Sequence, residues 1–254
     1  MAALTLRDGY VDLLLGSACV GCARPGRALC PACWSELPAE ASPHGPSPPP
    51  AGLAPTLAVG DYDGTLRGLV LAHKEHRATA LTRPLGRLLA RSVVAALDHG
   101  LGMGVGAAAG GAARDGAVLL VPVPSRPAAV RQRGHDPTLA MVRVAARVLR
   151  REGRPVHAVR LVRARRGVAV VDQAGLDAAA RARNQTWTMH APADAVRRAG
   201  ERWPRAHVIV CDDVLTTGAT LREAQRALEA VGVSVLAGAT VAATRRKVPR
   251  PNFG

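Results

Sequence analysis

The sequence is poor in aromatic residues: only Tyr10, Trp34, Tyr62, Trp187, Trp203 and Phe253 occur among 254 residues. A base-stacking platform for single-stranded nucleic acid is hard to build from so few rings. Lysine is nearly missing too, present only as Lys74 and Lys247, so the other 32 basic residues are arginine. Long apolar runs are absent. Two stretches lack Asp, Glu, Lys and Arg; residues 41–60 are filled with proline and residues 99–113 with glycine and alanine. Neither is apolar enough to insert as a helix, so no membrane insertion is expected. The segment Leu13-Leu14-Leu15-Gly16-Ser17-Ala18-Cys19 resembles a lipoprotein cleavage site. Against that reading, Asp8 and Asp12 interrupt the apolar region, Gly16 is a poor fit, and further cysteines follow at once. A cytoplasmic chain is the expectation.

Apolar residues make up 48% of the chain, enough for a real core, and 49 of them are alanine. The core is therefore expected to be packed tightly from small aliphatic side chains. The formal charge is +15. Alanine and arginine in such excess match GC-rich codon bias, so part of that charge carries no functional message. Between residues 121 and 206 there are still 18 Arg against 6 acidic residues. A local field of that sign suits phosphate-bearing ligands, nucleotide or nucleic acid, without choosing among them.

Three zones separate by composition. Residues 1–40 hold four of the five cysteines. Residues 41–56 carry Pro43, Pro46, Pro48, Pro49, Pro50 and Pro55 and read as a semi-rigid extended linker. From residue 57 to 254 apolar runs alternate with amphipathic stretches, without an internal repeat. Ala117 to Val123 and His207 to Cys211 read as buried strands, and Val156 to Val162 and Val233 to Val241 as further ones. Asp136-Pro137 opens a helix carrying Leu139, Val142, Ala146 and Leu149 at helical spacing. A second helix presents Leu221, Ala224, Leu228 and Val231 and ends at Gly232. The glycine- and alanine-rich stretch 99–113 reads as a loop. Strands alternating with helices predict an α/β fold with a doubly wound, mostly parallel sheet, whose ligand site lies beyond the strands' carboxyl ends.

Cys19-Val20-Gly21-Cys22 and Cys30-Pro31-Ala32-Cys33 form two C-x2-C knuckles seven residues apart. Two thiolates from each knuckle complete a tetrahedral shell at structural Zn²⁺, and the segment is too short to bury a core without a metal. The alternatives are a pair of disulfides or a redox C-x-x-C, which a cytoplasmic chain and two matched knuckles disfavour. A closed four-cysteine site leaves no open position for substrate. Cys211, ending an apolar strand, reads as a small buried hydrophobe.

The most informative stretch runs from Val208 through Asp212-Asp213 to Thr216-Thr217-Gly218-Ala219-Thr220. A buried strand reaches its carboxyl end, two carboxylates follow, and a hydroxyl-rich turn with one glycine leads into a helix. Free N–H groups at a helix start, the positive end of its dipole and threonine hydroxyls together make a monophosphate cradle. Asp212 and Asp213 stand where they can accept hydrogen bonds from sugar hydroxyls or help hold a metal-bound substrate. A solvated acidic turn with an ordinary N-cap threonine explains any one of these residues, but not their coincidence at one junction.

This stretch is similar to the 5-phosphoribosyl-1-pyrophosphate (PRPP) motif of the type I phosphoribosyltransferases, and the chain as a whole resembles the ComF family. The paired knuckles head the chain, as in that family. Tyr62-Asp63-Gly64 with Leu66, Leu69 and Lys74 is similar to its "Y-x-G … lK" segment. Val121-Pro122-Val123-Pro124 with Arg131-Gln132-Arg133-Gly134 matches its "VPVP … RxRG" signature, and Gln173, Leu176, Arg181, Arg183 and Asn184 its "Q-x-x-L … R-x-x-N" box. The chain departs at His135-Asp136-Pro137, where the family has an aromatic residue and Asn-Gln, and at Glu75, where it has tyrosine. The resemblance implies a type I phosphoribosyltransferase-like domain behind a zinc module. Thr216 to Thr220 would hold the 5′-phosphate of PRPP, and Asp212 with Asp213 the ribose hydroxyls. Ser125, Arg126, Arg131 and Arg133 would face the pyrophosphate with its Mg²⁺, and Lys74 would be a further cation. It implies two functions: transfer of phosphoribosyl to a nitrogen acceptor with release of pyrophosphate, or a non-catalytic accessory role in DNA uptake. In the second, the zinc module and basic surface engage single-stranded DNA or a helicase partner. A third possibility is a regulator that binds PRPP without turnover.

Overall fold

A computed structural model of the chain describes residues 18–75, 78–102, 116–125, 127–165 and 187–244. The expected box at Gln173, Leu176, Arg181, Arg183 and Asn184 lies outside the described residues, as does Arg126.

The elements follow in the order α1 (Pro31–Ser35), β1 (Ser42–Pro43), β2 (Thr56–Asp61), α2 (Gly64–Glu75), a 3-10 turn (Thr79–Leu81), α3 (Thr82–Gly102), β3 (Val118–Pro122), α4 (Pro127–Arg133), α5 (Pro137–Arg151), β4 (Val156–Ala158), β5 (Arg163–Ala164), β6 (Met189–His190), α6 (Ala193–Arg202), β7 (His207–Leu215), α7 (Ala219–Glu229) and β8 (Ala237–Ala243). Six strands form one sheet in the order β1-β2-β8-β7-β3-β4, parallel except for β1, and β5 pairs with β6 in a separate antiparallel ribbon. The α/β expectation therefore holds in its mostly parallel sheet.

Both faces of the sheet are covered, which is why its strands read as unbroken apolar runs. Period-two alternation still sorts the side chains. Ile209 and Cys211 of β7 and Val118 and Leu120 of β3 face a core completed by α2, α3 and α5. Val208 and Val210, with Leu119 and Val121, face the other side, where α6 and α7 pack. The alanine excess is used here: Ala237, Ala239 and Ala242 of β8 are fully buried in the middle of the sheet. Helix α5 begins as its sequence suggests, with Asp136 at the N-cap, its Oδ1 accepting from the Leu139 N–H at 3.1 Å, and Pro137 in the first turn.

Several expected bounds move. The strand expected over Val156 to Val162 stops at Ala158, and the one expected from Val233 begins at Ala237. Strand β7 runs four residues past Cys211, so the two aspartates lie in the strand rather than in a turn. Residues 99–102, expected in a loop, complete the last turn of α3, and residues 103–115 are outside the described set.

The proline-rich segment is not a free tether. Ser42–Pro43 pairs antiparallel with Ala58 and Leu57 of β2, and the chain beyond it is seated on α7. The cysteine module is docked as well. The Val20 carbonyl lies 3.2 Å from where a Cβ on Gly68 of α2 would stand, a close approach that the missing side chain eases. The Arg87 and Arg91 guanidiniums lie 4.8 and 4.9 Å from the centre of the Trp34 ring, cation–π contacts that fasten α1 to α3. The Arg91 guanidinium also donates to the Pro38 carbonyl.

Candidate active site and metal centre

The crevice follows from strand lengths. Strand β3 ends in register with Cys211, whereas β7 continues beside β8 to the Leu215–Ala243 pair. Residues 212–215 thus overhang β3 by about 13 Å at ~3.3 Å per residue. Chain leaving β3 passes through α4 into α5 on one face of the sheet, and chain leaving β7 enters α7 on the other. That divergence is the topological switch point at which open α/β sheets bind ligands.

Asp212 and Asp213 sit on this overhang. Asp213 is buried, and its carboxylate pairs with the Lys74 ammonium at 2.9 Å. Lys74 lies in the last turn of α2, so an element distant in sequence delivers the one lysine of the described residues to the acidic pair. Burial raises the pKa of Asp212, the adjacent Asp213 charge raises it further, and Lys74 only partly offsets them. Its Oδ1 accepts from the Asp213 N–H at 2.9 Å. Two adjacent carboxylates, one of them paired with a cation, form an acceptor-rich site.

Two histidines join this group, and the sequence reading missed both as site residues. His73 is buried beside Lys74, its Nε2 2.8 Å from the Thr82 hydroxyl. Burial, helped by neighbouring His135, lowers its pKa to about 4 against the pull of Asp213, so the ring is neutral at pH 7. His135 packs edge-on to it at 6.4 Å between ring centres. The position of His73 next to Lys74, and of His135 directly after the Arg-x-Arg-Gly signature, was the available signal.

The turn after β7 leads directly into α7. Gly218 has φ +73° and is the N-cap of α7, the left-handed conformation that glycine adopts without steric cost. Thr216 is exposed and Thr217 and Thr220 are half-buried, while Gly218 and Ala219 are buried. The Thr217 hydroxyl accepts weakly from the Ala219 N–H at 3.5 Å.

On the opposite wall, Ser125 follows β3, but its hydroxyl donates to Asp136 Oδ1 at 2.9 Å. It therefore braces the start of α5 as well as bordering the crevice. Arg131 is exposed on α4, and Arg133 ends the same helix. The structure thus brings together Lys74, Asp212, Asp213 and the 216–220 loop, with no described contact joining Arg131 to them.

The cysteine module has its own geometry. The sulfurs of Cys19, Cys22, Cys30 and Cys33 all lie within 4.8 Å of one another, and none is in a disulfide. Cys22 and Cys30 Sγ are 3.7 Å apart, close to the ~3.8 Å edge of a tetrahedron with ~2.3 Å Zn–S bonds. Burial works against ionisation of Cys19, but backbone hydrogen bonds, led by Cys30 and Cys22, outweigh it and bring the thiol down to about 6. Hydrogen bonding to Cys30 and burial push Cys33 the other way. Four sulfurs this close together can hold a metal such as zinc. Cys211, fully buried, has its thiol pushed up by desolvation and Asp212 and is inert at neutral pH.

The family model of the phosphoribosyl transferase domain matches residues 143–254, a span that contains β7, the 216–220 loop, α7 and β8. No curated protein matches the chain. Among the described residues, no helix is long and apolar enough to cross a membrane.

Proposed function

We propose that the protein is a PRPP-binding phosphoribosyltransferase of the ComF type, transferring phosphoribosyl to a nitrogen acceptor with release of pyrophosphate. The observation that carries this reading is the Lys74–Asp213 pair at the overhanging end of β7, beside Asp212 and directly ahead of a glycine-capped helix start. The 216–220 loop binds the 5′-phosphate through N–H groups and hydroxyls. Asp212 and Asp213 accept hydrogen bonds from the ribose 2′- and 3′-hydroxyls, and Lys74 then turns toward the anionic side of the ligand.

In the transfer, the bond from C1 to pyrophosphate breaks, its electron pair leaves with the pyrophosphate, and the acceptor nitrogen bonds to C1 and loses a proton. Positive character on the ring is stabilised by the nearby carboxylates, and the protein contributes mainly orientation and electrostatics. Oxygen ligands from PRPP and this carboxylate pair suit Mg²⁺, which supplies charge neutralisation on the pyrophosphate when bound. Arg126, Arg131 and Arg133, around α4, are assigned to the leaving pyrophosphate, with Ser125 bordering it.

Calorimetry with PRPP and Mg²⁺ tests the site. Asp212→Asn with Asp213→Asn is expected to abolish PRPP binding while zinc content stays intact; unchanged affinity in the double variant refutes the assignment. A pyrophosphate-release screen over nucleobases and amines then separates turnover from binding alone. A second reading, an accessory role binding single-stranded DNA or a helicase, is favoured by Arg24 and Arg27, both exposed on the cysteine module. It requires affinity for single-stranded DNA that falls steeply with salt.

A further inference from the structure

Residues 44–54 look like a spacer in the sequence, yet they form a strap laid along the flank of the 216–220 loop. One end is tied to β2: the His44 N–H donates to the Thr56 carbonyl at 2.8 Å, the Thr56 hydroxyl donates to the His44 carbonyl, and His44 Nε2 lies 4.0 Å from the Asp61 carboxylate. The other end is held by side chains of α7. Arg222 Nε donates to the Ala51 carbonyl at 2.9 Å. Gln225, a buried side chain, uses both ends of its amide on the strap, donating to the Gly52 carbonyl at 2.8 Å and accepting from the Ala54 N–H at 2.9 Å. Glu229, one turn on, accepts from Arg222 at 2.9 Å and from Gln225 at 2.7 Å, holding both in place.

Between these ties, three half-buried side chains meet the loop. A Cβ placed on Gly218 would lie 2.8 Å from Leu53 Cδ2, 3.0 Å from Pro46 Cγ and 3.3 Å from Pro50 Cδ. The apolar contacts cover the Gly218 flank only; Thr216 remains exposed and Thr217 half-exposed. The strap is therefore a wall and not a plug. Its effect on the loop is physical. A glycine can occupy many conformations, and a phosphate cradle works only when successive N–H groups converge. Crowding one side of Gly218 removes the alternatives before ligand arrives, so binding costs less ordering.

We propose that residues 44–54 are a positioning element of the phosphate site: Leu53, Pro46 and Pro50 hold Gly218 in its left-handed conformation, Gln225 and Arg222 latch the strap in place, and affinity for a phosphate monoester depends on both. This rests on the reading that the 216–220 loop takes the 5′-phosphate. The test uses the full chain with ribose 5-phosphate and, separately, Mg²⁺-pyrophosphate as calorimetric probes, together with hydrogen exchange at residues 216–220. Leu53→Ala and Gln225→Ala are each expected to weaken ribose 5-phosphate binding about tenfold, to leave pyrophosphate affinity unchanged, and to speed exchange in the loop. Leu53→Met, which refills the contact, is expected to restore the parent values. Variants that bind ribose 5-phosphate equally well or more tightly overturn the proposal, as does an equal loss for both ligands with a lowered Tm, which marks a merely structural role. A parent chain that binds no ribose 5-phosphate overturns the phosphate reading itself.

Discussion

Gly218→Ala separates two costs that meet at one atom. The first is conformational: φ of +73° at Gly218 is a left-handed conformation that costs an L-residue roughly 1–2 kcal/mol. The second is steric: the new methyl would stand 2.8 Å from Leu53 Cδ2 and 3.0 Å from Pro46 Cγ, and overpacking of this kind costs about 1–3 kcal/mol. Together they predict a loss of about 2–5 kcal/mol, read by urea denaturation with the slope m held constant. The terms can be told apart because only the steric one involves Leu53. In the double variant Leu53→Ala with Gly218→Ala, the part of the crowding due to Leu53 should be recovered, while the contact with Pro46 Cγ at 3.0 Å and the conformational share of about 1–2 kcal/mol persist. PRPP affinity should fall in the single variant and stay low in the double, since the loop geometry is still wrong. An alanine variant within about 0.5 kcal/mol of the parent, with unchanged PRPP affinity, would refute both the left-handed assignment and the packing of the strap against the loop.

Two further outcomes follow from the charges. Asp212 is pushed up to about 8 by burial and by Asp213, so between pH 4 and 8 the native state holds a proton that the unfolded chain has released. The ligand-free protein should lose stability as pH rises through that window, and Asp212→Asn should be the more stable chain at pH 8, the advantage fading toward pH 4; thermal melts across that range check the sign, and a parent that gains stability with pH contradicts it. At the cysteine module, elemental analysis should find one zinc per chain, and a chelator should loosen the docking of Trp34 against Arg87 and Arg91, seen as a fluorescence change, while the far-UV circular dichroism of the sheet persists; a metal-free chain whose Trp34 environment ignores chelator would refute the four-sulfur site.

What the sequence revealed depended on how local the physics was. Val208 to Cys211 read as a buried strand because both faces of that strand are covered, and Asp136-Pro137 read as a helix start because an N-cap and its N–H donor are three residues apart. The same reasoning ended β7 too early. Aspartate in a strand is locally unfavourable, and only the overhang past β3, set by the register of another strand, makes room for Asp212 and Asp213 there. The terminal strand boundaries slipped for a related reason: Val233 and Val235 are apolar enough to extend a strand, but the ladder with β7 starts only at Ala237.

The candidate site divides in the same way. The 216–220 loop was legible because its glycine, hydroxyls and helix start are contiguous, and Lys74 came from a family-like segment rather than from any local signal. The cysteine knuckles were legible because metal-ligand spacing is itself local. The strap was not, since its evidence is a set of partners about 170 residues apart in sequence: Ala51 with Arg222, and Gly52 and Ala54 with Gln225. Proline-rich composition sets chain stiffness but carries no information about what the chain lies against. A stiff segment also loses little entropy when it docks, so a few hydrogen bonds worth about 0.5–1.5 kcal/mol each are enough to seat it. The composition that suggested a semi-rigid extended linker is thus the same property that lets residues 44–54 serve as a wall.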